Sequence, residues 1–316
     1  MTPRRLLPYL LLFLALAGAY AALRIHEERR EARERQANKV FKVKEGDLTE
    51  VLLVRGREEV RLEKQDQEWR LTRPITAKAD QQVVASWLAT LAHLTKERDL
   101  GVQEDLKPFG VAPPALRVEF AAQGQAYRLS LGSAAPTDRS YYALKDQEPN
   151  LLLISAGDKE SLDRPLAAFR DKTLFTFRPD KVKSLRITRG DRVVQLEHAG
   201  PQTWRRVGQE GFKVRADKVE ALLRLLAVAR VKDFVAEAPE DLQAYGLAPK
   251  PMAVVKVATE KEEEGLALGK KTDKGVFARR GGAGPVVLVE EDLPEQIARI
   301  LSSLEDRGSA PPEKKE

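Results

Sequence analysis

Hydrophobic and polar positions follow different rhythms along this chain, and each rhythm predicts a kind of element. Residues 6–23 carry no charge: Leu-Leu-Pro-Tyr-Leu-Leu-Leu-Phe-Leu-Ala-Leu-Ala-Gly-Ala-Tyr-Ala-Ala-Leu. As a helix rising about 1.5 Å per residue this run spans roughly 27 Å, close to the hydrocarbon thickness of a bilayer. Arg4 and Arg5 precede it, and Pro8 falls in the first turn, where its missing N–H does little harm. Residues 1–23 therefore predict an N-terminal membrane anchor. A cleaved signal is the alternative, because Ala17-Gly18-Ala19 and Ala19-Tyr20-Ala21 both fit a small-x-small cleavage pattern. The apolar run continues past both sites, which favours retention. Residues 24–43 predict a charged helical stalk or linker, with Glu31 and Arg35 paired at i,i+4 and Glu27 reaching Arg30.

Beyond the stalk the rhythm shortens to two. Val51-Leu52-Leu53-Val54 and Val60-Arg61-Leu62-Glu63 flank Gly56 as a hairpin, and Trp69-Arg70-Leu71 follows as a third strand. Val84, Trp87, Leu88 and Leu91 then fall at i, i+3, i+4 and i+7, one apolar stripe of a helix with Asp80 as its N-cap. Further strands are expected at 116–120, 127–131, 141–144 and 151–154, and a closing helix at 158–169.

The same order then recurs. Trp69 returns as Trp204, an offset of 135. Leu106-x-x-Phe109-Gly110-Val111-Ala112-Pro113 returns as Leu242-x-x-Tyr245-Gly246-Leu247-Ala248-Pro249, an offset of 136. Leu129-Ser130-Leu131-Gly132 returns as Leu266-Ala267-Leu268-Gly269, an offset of 137. Three landmarks in one order imply two copies of one unit, at 44–177 and 178–306. The second copy repeats the helix stripe as Val219, Leu222, Leu223 and Leu226, with Asp217 expected as N-cap and Glu220 as its capping-box partner. It predicts strands at 253–257, 266–268, 276–278 and 286–289 and a closing helix at 293–304. The fold class is α+β: two similar units, each a mainly antiparallel sheet with packed helices, after one N-terminal transmembrane helix. Residues 307–316, rich in Pro and charge, are expected to be a disordered tail.

Composition sharpens this picture. Of 316 residues, 42% are hydrophobic and 32% charged, enough for packed cores. The net charge of +6 sits mostly at the anchor: residues 1–48 hold 10 Lys+Arg against 6 Asp+Glu, leaving 44 against 42 for the body. Interleaved signs on a balanced body argue against nucleic acid as a partner. The absence of cysteine removes disulfides, thiolate metal sites and a Cys nucleophile. Arg24, Arg29, Arg30, Arg33 and Arg35 after the span would, by charge alone, hold the body in the cytoplasm. Long C-terminal domains translocate largely regardless of charge, so the expected placement is a single pass in the inner membrane with the body on the periplasmic side.

Candidate chemistry is thin. Gly265-Leu-Ala-Leu-Gly269-Lys270-Lys271-Thr272 resembles a phosphate-cradling loop, but it has three residues between the glycines where four are needed, and its first-copy counterpart has no lysine. Gly281-Gly282-Ala283-Gly284 lies between two strands and reads as a hairpin turn. His26, His93 and His198 have no ligand-like neighbours at helical or strand spacing. Glu262-Glu263-Glu264 reads as a solvated turn. Trp69 and Trp204, at matching positions, read as core; Tyr141 and Tyr142, without a matching pair, are the better candidates for an exposed aromatic contact. No catalytic, cofactor-binding or metal-ligating residue is assigned, and no cofactor is expected.

On the Trp-Arg-Leu strand with its Asp-capped helix, the Phe/Tyr-Gly-Val/Leu-x-Pro turn and the Leu-Gly strand end, the chain resembles the bacterial family called domain of unknown function 4340. That resemblance implies an N-terminally anchored envelope protein, often encoded beside ABC-transporter permeases and gliding-motility-type auxiliary proteins, and supplies no catalytic residues. The expectation is a non-enzymatic accessory or scaffold protein whose partner is a permease or auxiliary subunit of a transporter or export assembly. A binding module for cell-wall or exported polysaccharide, or a hydrolase with an unrecognised carboxylate pair, is the alternative.

Overall fold

The computed structural model of the chain describes residues 7–304 apart from 137, 138, 146, 147, 201 and 210. It divides into two units, residues 1–171 and 172–316. The division precedes the 177/178 junction expected from sequence, because Leu174, Phe175 and Phe177 pack into the second core. The expected tail at 307–316 lies outside the described residues.

The first unit opens with helix α1 (Leu7–Ala37). Hairpin β1 (Leu48–Arg55) and β2 (Glu58–Gln65) follows, then β3 (Glu68–Arg73) and the two-residue β4 (Ala77–Lys78). Helix α2 (Gln81–His93) leads to β5 (Arg98–Val102), β6 (Leu116–Ala122), β7 (Gln125–Ala134), β8 (Ser140–Lys145), β9 (Asn150–Ser155), α3 (Ala156–Leu162) and α4 (Leu166–Phe169). The strands form one antiparallel sheet in the order β4-β3-β2-β1-β6-β7-β8-β9-β5.

Alternation makes one sheet face the core. In β6, Leu116, Val118, Phe120 and Ala122 are buried while Arg117 and Glu119 face outward. The stripe Val84, Trp87, Leu88 and Leu91 of α2 closes that core against Leu62, Leu71 and Leu129. Each such side chain contributes about 1.5–3 kcal/mol by leaving water. Buried Trp87 also needs a partner for its indole N–H, and donates it to the Leu162 carbonyl at 3.0 Å. The outward face carries an Arg/Glu checkerboard: Arg61 lies 3.2 Å from Glu50, and Arg117 and Arg128 each lie 3.1 Å from Glu119.

The second unit repeats the plan with β10 (Ser184–Arg189), β11 (Arg192–Gly200), β12 (Thr203–Arg206), α5 (Ala216–Val228), β13 (Asp233–Ala236), β14 (Ala253–Ala258), β15 (Glu263–Thr272), β16 (Gly275–Arg280), β17 (Val286–Val289) and α6 (Leu293–Ser302). Its sheet order, β12-β11-β10-β14-β15-β16-β17-β13, is that of the first unit without a counterpart of β4.

Backbone bonds match residue for residue. Lys96 N–H donates to the Asn38 carbonyl and Val231 N–H to that of Lys172, both at 2.8 Å. Glu97 donates to Leu153 and Lys232 to Leu288, again both at 2.8 Å. The isolated bridge Lys39–Thr95 answers to Thr173–Arg230. Strand register agrees: Leu129 faces Lys145 as Leu266 faces Arg280.

Several sequence expectations need correction. The closing helix at 158–169 is two short helices, α3 and α4, parted at Asp163-Arg164-Pro165 because Pro165 has no N–H to continue the ladder. Asp80 caps α2, accepting from Gln82 and Val83 N–H at 3.0 and 3.1 Å. Asp217 does not cap α5. The N-cap is Arg215, whose N–H is tied to the Leu304 carbonyl at 2.9 Å, so Asp217 falls inside the first turn and pairs with the Arg215 guanidinium. Glu220 likewise makes no capping box and lies 3.5 Å from Arg224.

Candidate functional site

The recurring motifs meet each other in space. In the first unit the backbone turns at Gly110, φ +66°, beneath the end of β7, where Gly132 lies so close that a Cβ would stand 2.1 Å from the Phe109 carbonyl. In the second, Gly246 has φ +67° and a Cβ on Gly269 would stand 2.2 Å from the Tyr245 carbonyl. Only glycine allows both the left-handed turn and the close approach. The following Ala112-Pro113 and Ala248-Pro249 peptides are both cis.

Aromatic rings seal this junction in both units with the ring identities exchanged. Phe109 packs edge-on against Tyr142 at 4.9 Å, and Tyr245 against Phe277 at 5.1 Å. Tyr142 therefore does have a counterpart, Phe277, and is half-buried rather than a free aromatic contact. Tyr141 is half-buried as well, against the first core, with the Lys159 ammonium 5.2 Å from its ring centre.

The apparent phosphate loop lies wholly within β15. Lys270 spends its ammonium on the Ala244 carbonyl at 3.2 Å, and Lys271 lies 3.2 Å from Glu295. The glycines at 281–284 form the exposed turn between β16 and β17. Among the described residues no group of three or more His, Cys, Asp or Glu side chains is placed to hold a metal ion. His26 is exposed on α1, and His93 reaches Glu45 at 3.4 Å on the surface.

A cleft of about 520 Å³ opens in the second unit between α5 and the β11–β12 edge. Trp204, His198, Gln202, Glu220, Arg224 and Asp180 line it. Trp204 is 8% exposed, close to the 7% of Trp69 in the first core, and His198 meets its ring edge-on at 5.3 Å. Nothing here forms an acid–base pair. Among the described residues His198 is joined to no carboxylate, and Glu220 faces Arg224. Burial raises the Asp180 carboxyl, but the Arg178 hydrogen bond and charge outweigh it and hold the group below its ordinary range, fully ionised at neutral pH. The cleft offers the polar side chains of Gln202, Glu220 and Arg224 beside the buried Trp204 ring.

Two further charge clusters were hidden in the sequence. Glu264, expected in a solvated turn, is 7% exposed inside the second unit. Its position in β15 shares the inward face with Leu266 and Leu268, a parity the Glu-Glu-Glu run conceals. Its carboxylate accepts the Thr176 N–H at 2.9 Å, the Thr176 hydroxyl at 2.9 Å and the Arg280 guanidinium at 2.8 Å. Both carboxylate oxygens are taken by these donors, so it is a structural group. In the first unit Lys39, Lys42, Lys96 and Lys145 line a cavity of about 410 Å³ with Tyr127 and Glu148. These lysines come from three separated stretches of chain, at 39–42, 96 and 145, so no single local motif announces the set.

Comparison with known proteins rests on the family alone. No curated protein and no solved structure matches the chain. The family described as Domain of unknown function (DUF4340) matches residues 69–204 and 204–308. Each segment starts on one of the paired tryptophans, at β3 and at β12, and runs through one copy of the cap helix, the glycine junction and the closing strands. With the two matches covering most of its length and the family's landmarks built into both sheets, the chain belongs to the DUF4340 family.

Proposed function

We propose that this protein is a non-enzymatic accessory or scaffold subunit of the cell envelope, held by a single N-terminal span with its body on the periplasmic side. Its partner is an ABC-type transporter or export assembly. One observation carries the reading: what the two units share is steric and apolar, while their charged clusters differ. The glycine junction, the edge-on ring pair and the helix stripe recur; the Glu264 cluster and the lysine-lined cavity do not. A duplicated enzyme retains its reacting groups in at least one copy as a convergent set. Here the one buried carboxylate cluster described, around Glu264, is saturated by structural bonds, and the lysine-lined cavity gathers like charges with no nucleophile–base pair described among them.

The span rests on composition and on α1. Among the described residues no helix is long and apolar enough to cross a membrane. The side chains of residues 6–12, Leu14, Ala15 and Ala22 lie outside those described. Those that are described favour insertion: Phe13, Leu16, Tyr20 and Leu23 are 62–66% exposed, with no protein surface over them. Beyond them the helix turns polar, and Arg30 pairs with Glu34 at 2.9 Å.

The cleft beside Trp204 supports a second reading, binding of a cell-wall or exported polysaccharide, since Gln202, Glu220 and Arg224 place hydrogen-bonding groups around a concave opening. Affinity purification of the tagged, full-length protein from detergent-solubilised membranes, followed by mass spectrometry, separates the two. The accessory role predicts stoichiometric recovery of transporter permease or auxiliary subunits. Recovery of the chain alone, with polysaccharide retained on it, contradicts that role and supports the second.

A further inference from the structure

The first unit holds a charge imbalance that the second has resolved. Its cavity of about 410 Å³ gathers Lys39, Lys42, Lys96 and Lys145 around Tyr127, with Glu148 as the one acidic side chain among the described residues of the lining. Glu148 bonds Lys145, and Asp99 holds Lys96 at 2.9 Å. Lys39 and Lys42 form no ion pair among the described residues. Ammonium groups crowded at one opening repel one another, and the arrangement becomes favourable when a counter-charge arrives.

The duplication shows what that counter-charge would replace. Matched bridges and registers equate Lys39 with Thr173, Lys96 with Val231, and Lys145 with Arg280. By the same alignment Lys42 corresponds to Thr176 and Tyr127 to Glu264. In the second unit three of the four lysines are thus neutral residues. The remaining cation, Arg280, is matched within the fold by the Glu264 carboxylate at 2.8 Å, which also takes both donors of Thr176. In the first unit a tyrosine stands in place of that carboxylate, stacked on Phe120 at 5.0 Å, and the cations have multiplied. The second unit supplies an acid at this position from its own strand; in the first the matching position is Tyr127.

The geometry points to this cavity as a binding site for a multiply charged oxyanion, which would supply beside Tyr127 the negative charge that Glu264 supplies in the second unit. The volume suits a small ligand or the charged end of a larger one, and the lysines supply up to three donors each without fixing a planar fork. Tyr127, packed edge-on at 5.9 Å against the buried Phe41 ring, gives the site one aromatic side. The inference is independent of which transporter or polymer the protein serves.

Isothermal calorimetry on the full-length protein in detergent, with ionic strength fixed by sodium chloride, tests it. Citrate and inorganic phosphate are the probes and distinguish a carboxylate from a phosphate preference. Saturable binding of at least one of them is expected, weakened tenfold or more in the Lys42→Gln/Lys145→Gln variant with the anion-free melting temperature unchanged. Tyr127→Glu supplies the acid from within, as Glu264 does, and is expected to abolish binding. The lysine variant answers the question even if loss of the stacked ring prevents the Tyr127→Glu chain from folding. Absence of saturable heat with both anions, or unchanged affinity in the lysine variant, overturns the assignment.

Discussion

At the residue scale the strongest constraints are steric. Gly132 and Gly269 face backbone carbonyls across gaps that admit no side chain. Gly132→Ala and Gly269→Ala should each cost about 1–3 kcal/mol or more through forced backbone shifts, read as a lowered urea midpoint. Gly56 and Gly124, with open space where a Cβ would go, provide a turn-only contrast. The two helix starts give a second comparison. Asp80→Ala removes two hydrogen bonds to α2 and should cost about 1 kcal/mol. Asp217→Ala should cost less, since Asp217 caps nothing. The matching glycines and tryptophans were legible in the sequence because each recurs at nearly one offset. The capping error at Asp217 was not avoidable by pattern: Asp at a helix start is a good N-cap on average, and only the Leu304 carbonyl, held by the far end of the unit, fixes Arg215 there instead.

At the element scale, strands buried on one face announced themselves by alternation, and both amphipathic helices by their stripes. Edge strands did not. Arg98–Val102 and Asp233–Ala236 are short, largely exposed and pair on one side only, so no sustained alternation marks them. The lysine-lined cavity and the Glu264 cluster stayed hidden for a related reason, being assembled by strand register rather than by neighbours in sequence. The junction between the β1–β2 hairpin and α3 is another such assembly. Asp163 accepts from Arg55 and from Lys159, and Lys159 lies 2.6 Å away. Burial raises the Asp163 carboxyl, yet the hydrogen bonds from Lys159 and Arg55 prevail and hold it below its ordinary value. A carboxyl depressed on folding stabilises above its unfolded pKa, and that contribution fades as pH falls through the folded value. Denaturant melts of the first unit at neutral pH and near about pH 3 should therefore show a larger acid loss for wild type than for Asp163→Asn. Equal losses would remove Asp163 from the acid response.

For the whole molecule the decisive feature is that one plan occurs twice with separate cores. Leu91 and Leu226 are equivalent and fully buried, one in each core. Leu91→Ala and Leu226→Ala should each cost about 2–5 kcal/mol, and each should lower the unfolding transition of its own unit. Trp204, alone of the three tryptophans in the second unit, reports the one; Trp69 and Trp87 report the other. The duplication was readable from spacing alone, and so was the antiparallel α+β class. What spacing cannot give is the assignment of outward faces, since the Arg/Glu checkerboard of the first sheet has the composition of any solvated surface. The proposed role accordingly stands on what the copies share, and on a helix whose described large apolar side chains, Phe13, Leu16, Tyr20 and Leu23, are exposed. Its most direct test is protease treatment of intact spheroplasts with antibodies to the body. An anchored protein facing outward predicts loss of the body from intact spheroplasts, with a short N-terminal fragment left in the membrane. Full protection until the spheroplasts are lysed, or release of the untreated protein into the soluble fraction, would contradict it.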